Sequence, residues 1–240
     1  MKKNNSMRAA GGLMIATMLT TSIVSGTYAK YVTSDSAKDS ARVAKFGVTV
    51  AASGSLFDTS YENGDGTITV VSSTNEKVVA PGTKSDEALT FSISGKPEVS
   101  VNVAIDVEYE ESTSDVFLKA GTYPDMTTGD PGDTFTLNAD YHPIKYTLSK
   151  GSDKILNGGT MKDLKSALAT AVNSNIGSNM ELADTLGEYS ITWEWAFEQG
   201  QDQADTLLGD LAAGTVNGID AANYNLNTNI EFTVSVTQID

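Results

Sequence analysis

From Tyr189 to Phe197 the chain reads Tyr-Ser-Ile-Thr-Trp-Glu-Trp-Ala-Phe, with a large apolar residue at every second position. Successive side chains of a β-strand point to opposite faces, so the run predicts a strand with one buried and one wet face. The same alternation occurs in Val99-Val101-Val103-Ile105-Val107-Tyr109 and in Ile230-Phe232-Val234-Val236. Ala44, Phe46, Val48 and Val50 give an earlier strand, and Ile144, Tyr146 and Leu148 a later one. Long half-buried strands of this kind predict an all-β chain, an antiparallel β-sandwich, with the helical segments described below as short insertions.

Turn residues divide these runs. Gly95-Lys96-Pro97 lies between Ala88–Ser94 and Glu98–Tyr109, and the short spacing predicts a hairpin. Ser112 to Asp140 is rich in Gly, Asp, Thr and Pro and reads as a long excursion across one end of the sandwich. Two segments carry helical spacing instead. Thr160 precedes Met161, Leu164, Leu168 and Val172, and Asp163 completes a capping-box variant. A second helix is expected after Asp202, with Asp202 and Asp205 flanking its start as carboxylates that cap free amides and oppose the dipole, Leu207, Leu208 and Leu211 facing inward, and Gly214 ending it. No repeat or composition break divides the chain, so residues 30–240 are expected to form a single domain.

The amino terminus reads differently. Met1 to Arg8 is basic, Ala9 to Ser25 is moderately apolar, and Thr27-Tyr28-Ala29 offers small residues at the −3 and −1 positions of a cleavage site. These features predict a cleaved secretory signal over residues 1–29 and a mature chain from Lys30. Lys2, Lys3 and Arg8 are the only charges before that point, leaving 13 basic against 31 acidic residues, a net charge of −18. Such a surface repels nucleic acid and attracts cations and basic partners.

Candidate chemistry is sparse. The chain has no cysteine and one histidine, His142, which removes disulfides, zinc–cysteine clusters and HExxH sites. His142 has Asp140 as a nearby carboxylate, but no G-x-S-x-G, phosphate-loop or dinucleotide motif accompanies it. Asn63-Gly-Asp65-Gly66 resembles half of a calcium loop, and Asp125, Asp130 and Asp133 cluster in the long excursion. Calcium takes six to eight oxygens from loops of this composition, so these five residues are the candidate metal ligands, although neither stretch has the complete EF-hand spacing and a solvated turn is the favoured reading of each loop. Trp193 and Trp195 share a face with Ile191 and Phe197, which predicts burial over a glycan-stacking platform.

Several stretches in order resemble the TasA/camelysin family of secreted Gram-positive biofilm matrix proteins. They are the signal ending Gly26-Thr-Tyr-Ala29, the early strand Ala44 to Val50, Ala80-Pro-Gly-Thr-Lys84 followed by Leu89-Thr-Phe-Ser-Ile93, the helical Met161-Lys-Asp-Leu-Lys165, and the terminal Glu231-Phe-Thr-Val-Ser-Val-Thr-Gln238. The resemblance implies processing by an ER-type signal peptidase (SipW-dependent), and a jelly roll that polymerises outside the cell as a matrix or surface fibre. It implies head-to-tail self-assembly by donor-strand complementation, with Lys30 to about Ala41 as donor and Lys30, Tyr31, Val32 and Thr33 at its head. An accessory matrix protein is a further partner of the kind implied, and no resident cofactor is expected beyond calcium in the acidic loops. Camelysin carries a metalloprotease label, yet this chain lacks the histidine and cysteine ligands that label requires, so no enzyme activity is expected. The competing reading is a monomeric cell-surface module binding cations or glycans, distinguished by ligand-dependent stability without polymer.

Overall fold

The computed structural model describes residues 41–62, 68–130, 132–197 and 200–239. In chain order its first strands are β1 (Val48–Ser53), β2 (Ser60–Glu62), β3 (Ile68–Val71), β4 (Leu89–Gly95) and β5 (Val101–Glu108). The short helix α1 (Glu111–Ser114) follows, then β6 (Phe117–Leu118), β7 (Gly121–Pro124), β8 (Thr134–Leu137), β9 (Lys145–Lys150) and β10 (Asp153–Gly159). Helix α2 (Met161–Val172), β11 (Ser174–Ile176), α3 (Leu182–Thr185), β12 (Glu188–Glu194), α4 (Asp202–Ala212), β13 (Tyr224–Asn225) and β14 (Glu231–Gln238) complete it.

Two antiparallel sheets carry the architecture. One has five strands in the order β1-β4-β12-β9-β10, the other three in the order β11-β5-β14. Their inner faces hold the alternating residues: Leu89, Phe91 and Ile93 from β4, Tyr189, Ile191 and Trp193 from β12, Val101 to Val107 from β5, and Phe232 and Val236 from β14 are all buried. Phe91 meets Phe232 across the interior with ring centroids 5.1 Å apart, and stacks on Tyr189 of its own sheet at 4.9 Å. The protein is therefore an all-β antiparallel sandwich with few short helices.

Helix α2 closes one side of this sandwich, lying against β5, β9 and β10. Its buried stripe is Met161, Leu164, Leu168 and Val172, and Thr160 and Asp163 form the reciprocal capping box. Helix α4 buries Ala204, Leu207, Leu208 and Leu211.

Three expectations are corrected. Strands β4 and β5 do not form a hairpin but lie in different sheets. At Gly95 the backbone adopts φ of +114°, and a Cβ there would sit 2.0 Å from the Gly47 carbonyl oxygen, so only glycine fits this close approach. Pro97 follows, and the chain crosses to the other sheet rather than folding back on itself.

The alternation of β12 also stops sooner than it reads. The strand ends at Glu194; Trp195 then exchanges backbone bonds with Gly82 and Thr83 at 2.7 and 2.8 Å, which keeps its ring inside. Two residues later Phe197 is 69% exposed and lies beside Gly82. Asp205, finally, does not cap α4. The helix starts at Asp202 after Gln201, and Asp205 lies a turn inside, buried, accepting from Tyr141 and Trp195.

Candidate functional site

Of the five sequence candidates for metal, three lie among the described residues. Asn63 and Asp65 lie outside the described residues, as do Lys30, Tyr31, Val32 and Thr33 of the expected donor. Asp125 is almost buried, and its carboxylate is fully engaged by protein donors: Oδ1 accepts from the Thr127 amide at 2.9 Å and the Thr127 hydroxyl, Oδ2 from Gln203 Nε2 at 2.7 Å. These bonds, led by the Thr127 hydroxyl, hold its pKa below the ordinary range. Asp130 accepts from the Gly132 amide at 3.0 Å, and Asp133 returns the chain to Asp125 through a backbone bond of 2.9 Å. The three aspartates thus fold the turn between β7 and β8. Among the described residues no three acidic or histidine side chains are grouped to hold a metal ion.

His142 pairs with Asp115, not Asp140. Its Nδ1 lies 3.0 Å from Asp115 Oδ2, while Asp140 accepts the Ala120 amide. Asp115 is completely buried, and among the described residues its Oδ1 has no hydrogen-bond partner; burial raises its pKa against the opposing pull of His142. Around it the chain is tied tightly. Asn225 donates to the Asp115 carbonyl at 2.7 Å, the Asn229 amide to the Ser114 carbonyl at 3.2 Å, and Tyr146 and Thr228 share a 2.9 Å hydroxyl bond. The result is a polar knot that fixes the approach of residues 225–229 to β14.

Among the described residues, two strand edges, those of β14 and β1, have no neighbouring strand. In an antiparallel ladder, directly bonded pairs alternate with pairs whose backbone groups point away from the partner strand. The Ile239 amide donates to the Ser100 carbonyl at 2.9 Å, and the register of β14 against β5 continues from that pair. The odd residues of β14 therefore bond to β5. Phe232, Val234, Val236 and Gln238 present their amides and carbonyls outward, and no bond to them is found among the described residues.

Strand β1 is built the same way. The Glu98 amide donates to the Lys45 carbonyl at 2.9 Å, so along this register Val48, Val50 and Ala52 face their backbone groups away from β4. Both edges lie on one side of the sandwich, because Phe91 places β14 over β4, the neighbour of β1, while α2 closes the side of β9 and β10. Between them Phe46, Val48, Val50 and Val234 are only partly covered. The other two sheet edges are guarded: β10 carries two register breaks with Gly158 and Gly159, and β11 has three residues.

The chain also holds its own entry to this side. Arg42 clamps Glu98 through both guanidinium nitrogens, and the Lys45 amide donates to Glu98 Oε2 at 2.9 Å. The hydrogen bonds from Arg42 and then Lys45 pull the Glu98 pKa down to about 2. Residues 42–45 are thus fixed alongside residue 98, at the root of the segment that precedes them.

The sequence showed the alternation of β14 but not its place at an edge, since periodicity is the same for central and edge strands. The chain matches no protein-family model, and no curated protein is significantly similar to it.

Proposed function

We propose that the chain is a secreted structural protein, a jelly-roll subunit of extracellular matrix or surface fibres that grow by strand addition. The observation that supports this reading is the open side of the sandwich: an eight-residue edge, β14, faces the open edge of β1 across partly uncovered apolar side chains. An extended peptide laid there satisfies a row of amides and carbonyls and covers Val48, Val50 and Val234 in the same step. Residues Lys30 to Ala41 of the neighbouring copy are the proposed donor, since they directly precede the Arg42–Glu98 clamp and carry Tyr31 and Val32 as apolar anchors. One donor and one acceptor per subunit make a contact that does not close, and so propagates.

The net charge of −18 after signal removal sets a repulsive condition, which salt, lower pH or divalent cations relieve. Deletion of residues 30–40 tests the reading: the variant should fold with unchanged far-UV circular dichroism and form no fibres. Fibres of normal width from the deletion variant would overturn it.

A further inference from the structure

The basic residues of this acidic chain are not evenly spread. Residues 145–165 carry Lys145, Lys150, Lys154, Lys162 and Lys165 against only Asp153 and Asp163, in a chain of net charge −15. The fold gathers four of these lysines near the start of α2. Lys145 and Lys162 both act on Asp163 in the first turn of α2, and Lys165 follows one turn after Lys162. Lys154 leans its amine toward Asn157, in the turn that enters α2. Lys154 and Lys162 are exposed, and among the described residues none of the four reaches a carboxylate at ion-pair distance. Asp163 itself is spent on the cap, where it accepts from the Thr160 amide and hydroxyl.

A complementary surface lies on a different face. On the outside of the three-stranded sheet Glu231 stands directly opposite Glu108, with Asp106 two residues further along β5, and all three are exposed. Like charges directly opposite on paired strands destabilise the pair, and among the described residues no cation is in ion-pair contact with either glutamate. The spacings match: Cβ atoms of cross-strand pairs are about 4.5–5.5 Å apart, and those of Lys162 and Lys165 about 5–6 Å, as for any residues one helical turn apart.

We propose that the lysine pole at the start of α2 docks on the Asp106/Glu108/Glu231 corner of a second copy, as a side-to-side contact separate from strand addition. A free polyanion suits the pole less well, because the acidic remainder of the chain repels it at long range. A second copy supplies carboxylates at the matching spacing, and each contact also relieves the repulsion between Glu108 and Glu231.

Zero-length carbodiimide coupling of the secreted protein tests this directly, as it joins only amines and carboxylates in contact. A 1:1 mixture of unlabelled and ¹⁵N-labelled protein at low ionic strength should give mixed-isotope peptides joining Lys162 or Lys165 to Glu108 or Glu231. Their yield should fall about tenfold in 1 M salt, where the Debye length shrinks to about 3 Å. Mixed-isotope peptides confined to other sites, or none, would overturn the proposal.

Charge exchange supplies an independent arm. The K162E/K165E and E108K/E231K variants should each lose self-association in sedimentation velocity, and their 1:1 mixture should regain it; a mixture that stays dispersed contradicts the contact. The coupling reads equally in filaments and in dispersed particles. Filaments lacking these peptides would refute the side contact alone, and peptides formed without filaments would refute strand addition alone.

Discussion

Trp195 donates its indole N–H to Asp205 Oδ1 at 3.1 Å, and the Tyr141 hydroxyl donates to the same oxygen at 2.7 Å. One carboxylate therefore joins the end of the central strand to α4 and to the segment before β9. Removing it with Asp205→Ala leaves two donors without an acceptor in a water-poor site, at a cost of about 1–3 kcal/mol. Urea unfolding followed by tryptophan fluorescence measures this, with both tryptophans buried in the native state.

The same residue gives a pH signature. Burial raises the Asp205 pKa, against the lowering pull of its hydrogen bonds from Tyr141 and Trp195. A folded pKa above the unfolded one means the native state favours the proton, so the contribution is fully present below the ordinary aspartate pKa. It is lost as pH rises through the raised folded value. Relative to Asp205→Asn, the wild type should gain stability as pH falls through that interval. Parallel curves for the two proteins from pH 7 to pH 3.5 would contradict this.

Phe232 is the contact that brings the three-stranded sheet onto the five-stranded one through Phe91. Phe232→Ala should cost about 3–5 kcal/mol, the usual loss for truncating a fully buried aromatic. Chemical denaturation gives the value directly; a loss below 1 kcal/mol would mean the sheets are not held together here.

The Arg42–Glu98 clamp responds to acid in the opposite sense from Asp205. The folded Glu98 pKa is depressed to about 2, so its contribution is fully present above the ordinary glutamate range and is lost progressively as pH falls from there through about 2. Hydrogen exchange at the Lys45 region should stay slow down to pH 4 in the wild type. In Glu98→Gln that protection should be lost at every pH, because the carboxylate charge behind all three hydrogen bonds is gone.

How much of this was legible beforehand depends on range. The Thr160–Asp163 cap and the leucines of α4 are local, and their residues alone determine them. The alternation of β12 predicted the burial of Trp193 and Trp195 correctly, but it failed at Phe197, where pairing shifts to the Pro81–Thr83 turn. Gly95-Lys96-Pro97 reads as a hairpin because turn chemistry is shared by hairpins and sheet-to-sheet crossings; the deciding contact, Gly95 against Gly47, is tertiary. His142 found Asp115, 27 residues away, over the neighbouring Asp140 for the same reason. The acidic loop at Asp125 resembled a calcium site because turn-forming and calcium-binding loops use the same residues.

Parity along β14 separates folding from assembly. Thr233 lies in a pair bonded to β5, opposite Asp106, whereas the Val234 amide faces outward. Thr233→Pro should destabilise the monomer by about 1–3 kcal/mol through the orphaned backbone acceptor on β5. Val234→Pro removes only an outward donor and should leave the monomer folded, as proline is tolerated on an edge whose N–H faces away from the sheet.

Negative-stain electron microscopy of the secreted, signal-cleaved wild type beside Val234→Pro is the most direct test of strand addition at this edge. Uniform filaments from the wild type and dispersed, folded particles from Val234→Pro are the predicted result. Filaments in equal number from both, or dispersed particles from the wild type under every salt condition, would contradict it.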